Sequence, residues 1–147
     1  MVRRLPVIQS KVSDDLAAEA RPPWHWVLIG AGFSVTIWLP LSALAIWVSA
    51  RLPLGPWPIA LSFALACFAA GVLVGRFGGQ SGAREAAVGG AVGAAATWCL
   101  AALGGALTPW PVAVASLFVL AVGAVILSWL GGKLGVRLRS GLDRTGA

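Results

Sequence analysis

Charge is scarce in this chain, and so are the side chains that most enzymes work with. Only 11% of its 147 residues are charged, against about a quarter in a typical soluble domain. It has no tyrosine, one histidine (His25) and five carboxylates: Asp14, Asp15, Glu19, Glu85 and Asp143. The carboxylates lie in the tails or in one connection, and His25 has no nucleophile or acid at any motif spacing. No acid–base pair or activated nucleophile can be assembled, so the expectation is a protein that is not an enzyme and carries no cofactor. The two cysteines, Cys67 and Cys99, sit inside apolar stretches with neither metal-ligand spacing nor a disulfide framework. No metal site is expected, and both read as small fillers of packed helices.

What is abundant is apolar sequence, at 59% of residues. No charge falls between Trp57 and Val74, between Ala86 and Leu107, or between Val112 and Gly132. Crossing a hydrocarbon core of about 30 Å takes about 20 predominantly apolar residues. Four segments qualify: residues 26–49, 57–75, 86–107 and 110–130. Because lipid offers no hydrogen-bonding partner to the backbone, each must be helical. The predicted class is therefore all-α, a polytopic membrane protein of four transmembrane helices. Residues 1–23 form a tail, 24–139 the transmembrane domain and 140–147 a second tail. Val48-Ser49-Ala50 resembles a signal-peptidase site, but the first apolar stretch exceeds the 7 to 15 residues of a signal core and follows a polar segment. In the first tail, Ser13 followed by Asp14 and Asp15 fits the start of a short helix that Pro22 and Pro23 would stop.

The formal charge of +6 does not point to nucleic acid, because the basic residues flank apolar blocks and form no stripe with aromatics. They report orientation instead. Arg3, Arg4, Lys11 and Arg21 precede the first span, Arg76 and Arg84 lie between the second and third, and Lys133, Arg137, Arg139 and Arg144 follow the fourth; Arg51 alone lies on the other side. The positive-inside rule puts both termini in the cytoplasm. Tryptophans agree: Trp24, Trp26 and Trp129 fall at cytoplasmic ends and Trp47, Trp57 and Trp110 at outer ends. Trp38 is the exception, mid-span beside Pro40, whose missing N–H frees the carbonyl near Thr36.

The chain also resembles itself. At an offset of 53 residues, Pro56-Trp57-Pro58 aligns with Pro109-Trp110-Pro111, and Gly78, Gly79, Gly82 and Arg84 align with Gly131, Gly132, Gly135 and Arg137. Both halves read PWP, an apolar span, then GGxxGxR. This predicts two helical hairpins inserted with the same orientation, a parallel repeat. Proline suits a helix start, and the paired glycines are expected to end the second and fourth spans. The stretch GRFGGQSGAREA lacks the lysine of a P-loop and the strand context of a dinucleotide-binding turn, so it reads as a turn at a membrane surface. Arg76 and Arg84, with Lys133 and Arg137, remain candidate contacts for the phosphate of an anionic lipid.

Small residues four apart let helices approach closely in lipid. The second span offers Cys67, Gly71, Gly75 and Gly79; the third offers Gly82, Ala86, Gly90 and Ala94, and beside them Gly89, Gly93, Thr97, Ala101 and Gly105. The third span's ladder is expected to pack on the second helix, with a homodimer or membrane-protein partner as the alternative use. At AGVLVGRFGGQSGAREAAVGG and LGGKLGVRL the chain resembles the YrzE-like family of small bacterial four-span membrane proteins. That resemblance implies a four-span topology and a bacterial inner (cytoplasmic) membrane, and carries over no functional residue. No ionisable residue lies within a span, which speaks against a proton-coupled antiporter. Two readings follow: a non-catalytic scaffold or accessory subunit that docks through small-residue helix faces, and a small dimeric channel or carrier for a neutral or weakly polar solute.

Overall fold

The computed structural model describes residues 23–53, 55–78, 82–103 and 110–145. It is all-helical. The elements are α1 (Pro23–Arg51), α2 (Trp57–Phe77), α3 (Gly82–Leu103) and α4 (Trp110–Thr145). Each contains a stretch long and apolar enough to cross a membrane, with mean hydropathy from 1.7 to 2.3. Four helices could thus span a bilayer, as composition predicted. Residues 1–22 of the first tail, Gly79 and residues 104–109 lie outside the described residues.

Local chemistry sets the helix ends. The last turn of α1 closes with Leu52 N–H donating to the Val48 carbonyl (3.0 Å), and Gly55 reverses the chain with a φ of +60°, a value glycine adopts at no steric cost. Pro56 then caps α2, which has Pro58 in its first turn, where a missing N–H costs no hydrogen bond. At the far end Gly78 N–H donates to the Val74 carbonyl (2.6 Å) and α2 stops. Pro40 lies inside α1, which continues through it to Arg51.

The helices occupy the corners of a rhombus. α2 and α3 both pack on α1 and on α4, and touch each other across the short diagonal, while α1 and α4 stand apart. Contact order along the seams gives the directions. Val27 and Gly30 of α1 meet Gly89 of α3, and Ser34 meets Gly93, so α1 and α3 run parallel. Gly71 of α2 meets Ser128 of α4 and Gly75 meets Gly132, so α2 and α4 also run parallel. Ala83 and Ala86 meet Gly132 while Gly90 meets Ala124, so α3 and α4 are antiparallel.

The interior is built from small side chains. Ala66, Ala70, Ala94 and Ala124 are buried, and Val74, Cys67 and Ser128 are the largest fully buried residues. Apart from Phe63, large side chains in the core cluster are only partly buried, and many others face outward, among them Leu28, Ile46, Trp57 and Phe118. In water such a surface would aggregate; in lipid, tails solvate the large side chains and close backbone approach holds the helices together. Most of the buried hydroxyls are satisfied locally. Ser34, Ser42, Ser62 and Thr97 each donate to a carbonyl three or four residues back in their own helix, at 2.7 to 2.8 Å.

The third helix starts at Gly82, four residues ahead of the apolar block counted as the third span. One expectation needs correction: GGxxGxR does not end the fourth helix, because Gly131, Gly132 and Gly135 lie inside α4, which runs to Thr145. The reason lies in their contacts, which hold these glycines against neighbouring helices.

Candidate functional site: the glycine seams and the basic end

The closest packing joins α2 to α4. A Cβ added to Gly75 would lie 2.8 Å from the Cα and carbonyl carbon of Gly132, and one added to Gly71 would lie 2.8 Å from the Cα of Ser128. The reciprocal positions are equally tight. A Cβ on Gly131 would lie 3.0 Å from Val72 N, and one on Gly135 would lie 2.7 Å from Arg76 N. Gly71 therefore plays against α4 the part that Gly131 plays against α2, and Gly75 the part that Gly135 plays. Two GxxxG motifs, Gly71–Gly75 and Gly131–Gly135, face each other around a local two-fold axis parallel to the helices. This pairing relates residues sixty apart, two helical turns out of step with the 53-residue alignment. Within the seam, Ser128 Oγ donates to the Cys67 carbonyl at 3.0 Å, so the hydroxyl bonds across helices instead of to its own.

The third helix divides its glycines between two partners. Gly89 and Gly93 face α1, where an added Cβ on Gly89 would lie 3.0 Å from the Val27 carbonyl oxygen and 3.3 Å from the Gly30 Cα. Gly90 faces α4, 2.8 Å from the Ala124 carbonyl oxygen by the same construction. Only Gly82 meets α2, 3.0 Å from the Gly75 Cα. The ladder on the third span thus serves mainly α1 and α4, and not the second helix. The reason is angular: positions 89/93 and 86/90/94 form two stripes about 100° apart on an α-helix, too wide for one partner. Gly79 lies outside the described residues.

Sequence reasoning missed six participants. Gly131, Gly132 and Gly135 are expected at a helix terminus but pack inside α4, and Gly30, Ser34 and Ser128 are seam residues whose signal is their spacing of four from other small residues. Trp38 is no interfacial ring; it packs on the cluster of Phe63, Cys67, Ala94 and Ala124, and its Nε1–H has no hydrogen-bond partner. Trp98 donates to Ser116 Oγ at 3.4 Å, joining α3 to α4 near the end of the bundle opposite Gly132. Cys67 is buried in the core, whereas Cys99 is exposed on the outer surface and fills no packed space.

The candidate lipid contacts gather at one end. Arg76, Arg84, Lys133 and Arg137 are all exposed there, with Arg139, while Arg51 stands at the other. Cation–ring pairs mark both levels: the Arg51 guanidinium lies 4.1 Å from the Trp47 ring centre, and Lys133 Nζ lies 3.6 Å from that of Trp129. Each pair spans one helical turn and combines an interfacial ring with a cation that can reach headgroups. Glu85, in the first turn of α3 where a helix dipole favours negative charge, is half-buried, and its Oε2 has no hydrogen-bond partner. His25 is exposed and stacks on Trp24 at 3.8 Å.

Compared with protein families, curated proteins and solved structures, the chain finds no match.

Proposed function

We propose that this is a non-catalytic scaffold or accessory subunit of a bacterial inner membrane, with both termini in the cytoplasm and the two hairpins inserted as a parallel repeat. The observation that carries the reading is the use of the glycines. Those at 71, 75, 89, 90, 93, 131, 132 and 135 are spent inside one copy, on backbone contacts that leave no lumen along the α2–α4 seam. Among the described residues, two span glycines keep open space around them, Gly32 on α1 and Gly123 on α4. Gly32, with Thr36 one turn on, gives α1 an exposed notch of small residues, the kind of surface a second membrane helix packs against. The parallel course of α1 with α3, and of α2 with α4, supports the doubled hairpin. The excess of exposed arginine and lysine at one end supports the cytoplasmic placement of the termini.

A channel or carrier for a neutral solute is the second reading, and the tight α2–α4 seam leaves no room for its path there. Anionic lipid at Arg76, Arg84, Lys133 and Arg137 is compatible with either. Membership of the YrzE-like family is proposed on the glycine–arginine residues alone. Purification in mild detergent followed by native mass spectrometry tests the scaffold reading. A stoichiometric membrane-protein partner that Gly32→Leu releases would support it, with the bundle's melting temperature unchanged. A lone monomer under every detergent condition would contradict it.

A further inference from the structure

One buried donor in the core has nothing to bond to. Of the buried side-chain nitrogen and oxygen atoms among the described residues, two lack a hydrogen-bond partner, Trp38 Nε1 and Glu85 Oε2, and only the first is a donor. Trp38 comes from α1, yet it packs on a core cluster whose members belong to α2 (Phe63 and Cys67), α3 (Ala94) and α4 (Ala124). Its indole therefore reaches toward the middle of the bundle. At 1.5 Å per residue Trp38 lies about 14 Å inward from Trp47, at a depth where lipid supplies no acceptor. An unbonded N–H there is costly, and native interiors almost always give such a group a partner.

The seams show what stands around it. α1 and α3 meet in rungs one turn apart, Gly30 with Gly89 and Ser34 with Gly93, so the third rung pairs Trp38 with Thr97. α1 and α2 meet at Gly30 and Val74. Because these two helices run antiparallel, the same count brings Trp38 to the level of Ala66, and Ser42 to that of Ser62. Thr97, Ser42 and Ser62 are all buried, and each has already committed its proton. Thr97 Oγ1 donates to the Gly93 carbonyl at 2.8 Å, Ser42 Oγ to that of Leu39 at 2.8 Å and Ser62 Oγ to that of Ile59 at 2.7 Å. What these hydroxyls still offer is lone pairs. The indole offers only a proton, and none of these oxygens is within hydrogen-bonding distance of it.

The structure assigns an internal water site to this junction of α1, α2 and α3: one molecule that accepts from Trp38 Nε1–H and donates to Thr97 Oγ1 and to one of the two serine hydroxyls a turn further on, Ser42 or Ser62. Water has the required complement, one accepted and two donated hydrogen bonds, and it bridges groups too far apart to bond directly. A charged ligand does not fit, because no side chain at these rungs is ionised to balance it. Along the α1–α3 seam the rungs grow from Gly30 with Gly89, through Ser34 with Gly93, to Trp38 with Thr97, so the seam opens toward the Arg51 end and room appears where the indole enters. The site follows from the packing alone and is the same for a scaffold and for a carrier.

The test is NMR of the full chain in nanodiscs with isotope-labelled tryptophan, where Trp38→Phe identifies the Trp38 indole signal by its loss. That proton is expected to show a cross-peak to water at the short distance of a bound molecule. Thr97→Val, and separately Ser42→Ala with Ser62→Ala, should each weaken the cross-peak about threefold or more, the order of one lost hydrogen bond. Ser140→Ala, which removes an exposed hydroxyl at the other end of the bundle, should leave it unchanged. An unchanged melting temperature checks the fold of each variant, and the threonine and serine variants test the site independently. An indole signal that shifts in Thr97→Val without any water cross-peak in the parent chain would mean a direct bond to Thr97 and would overturn the proposal. So would a parent chain with no cross-peak and a signal indifferent to every variant, or a cross-peak that survives removal of all three hydroxyls.

Discussion

Gly75 of α2 and Gly132 of α4 meet backbone to backbone, with an added Cβ on Gly75 placed 2.8 Å from the Gly132 Cα. No rotamer can relieve such a contact, because the opposing atoms are main chain. Gly75→Val and Gly71→Val should therefore separate α2 from α4, at a cost of about 3 kcal/mol or more. Gly32→Ala and Gly123→Ala, which meet open space, should stay within about 0.5 kcal/mol of the parent. Unfolding titrations in mixed micelles measure both sets, and equal destabilisation at Gly75 and Gly32 would contradict the seam.

A second prediction concerns coupling. A Cβ on Gly93 collides with Ser34 Oγ, and that hydroxyl already bonds to its own Ala31 carbonyl at 2.8 Å. Gly93→Ala should be destabilising alone and clearly less so in the presence of Ser34→Ala. A coupling energy of about 0.5 to 2 kcal/mol is expected from the double-mutant cycle. Additive effects would mean the two residues do not face each other.

How much of this was legible in the sequence depends on the element. The four helices follow from uninterrupted apolar runs, which lipid allows to be nothing else. The fate of the glycine pairs was not legible from the pairs themselves. Gly78 ends α2 and is followed by Gly79, Gln80 and Ser81, poor in helix formers. Gly131-Gly132 is followed by Lys133 and Leu134, which carry the helix onward. The same two letters thus stop one helix and seat another against its neighbour. Matching the loops at an offset of 53 concealed the GxxxG-to-GxxxG pairing sixty apart, because self-similarity records descent or composition while packing follows which faces meet. The partners of the third helix were likewise hidden: two stripes of small residues were visible, but nothing local says that one seeks α1 and the other α4.

Ser128 supplies a third test. Its hydroxyl donates to the Cys67 carbonyl across the α2–α4 seam, and hydrogen bonds between membrane helices contribute about 0.6 kcal/mol on average, up to about 1.7. Ser128→Ala should cost an amount in that range. Ser62→Ala, whose hydroxyl bonds within its own helix, should cost less.

The cysteines provide a fourth. Cys67 is 1% exposed and Cys99 lies on the outer surface. In the folded protein a membrane-permeant thiol reagent should modify Cys99 and spare Cys67, and both should react after unfolding in SDS. Mass spectrometry of the labelled chain reads the result, and equal labelling of the folded protein would contradict the packing of α2.

The central claim is a bundle of four membrane-crossing helices in which α2 and α4 run parallel and leave the membrane on the same side. Side-specific labelling of single cysteines in intact cells tests it most directly, using Leu52→Cys, Phe77→Cys and Leu138→Cys in the Cys67→Ala, Cys99→Ala background; all three positions are exposed. The account predicts that an impermeant maleimide reaches residue 52 from outside, and reaches residues 77 and 138 only after the cells are permeabilised. Labelling of 77 and 138 from opposite sides of the membrane would contradict it.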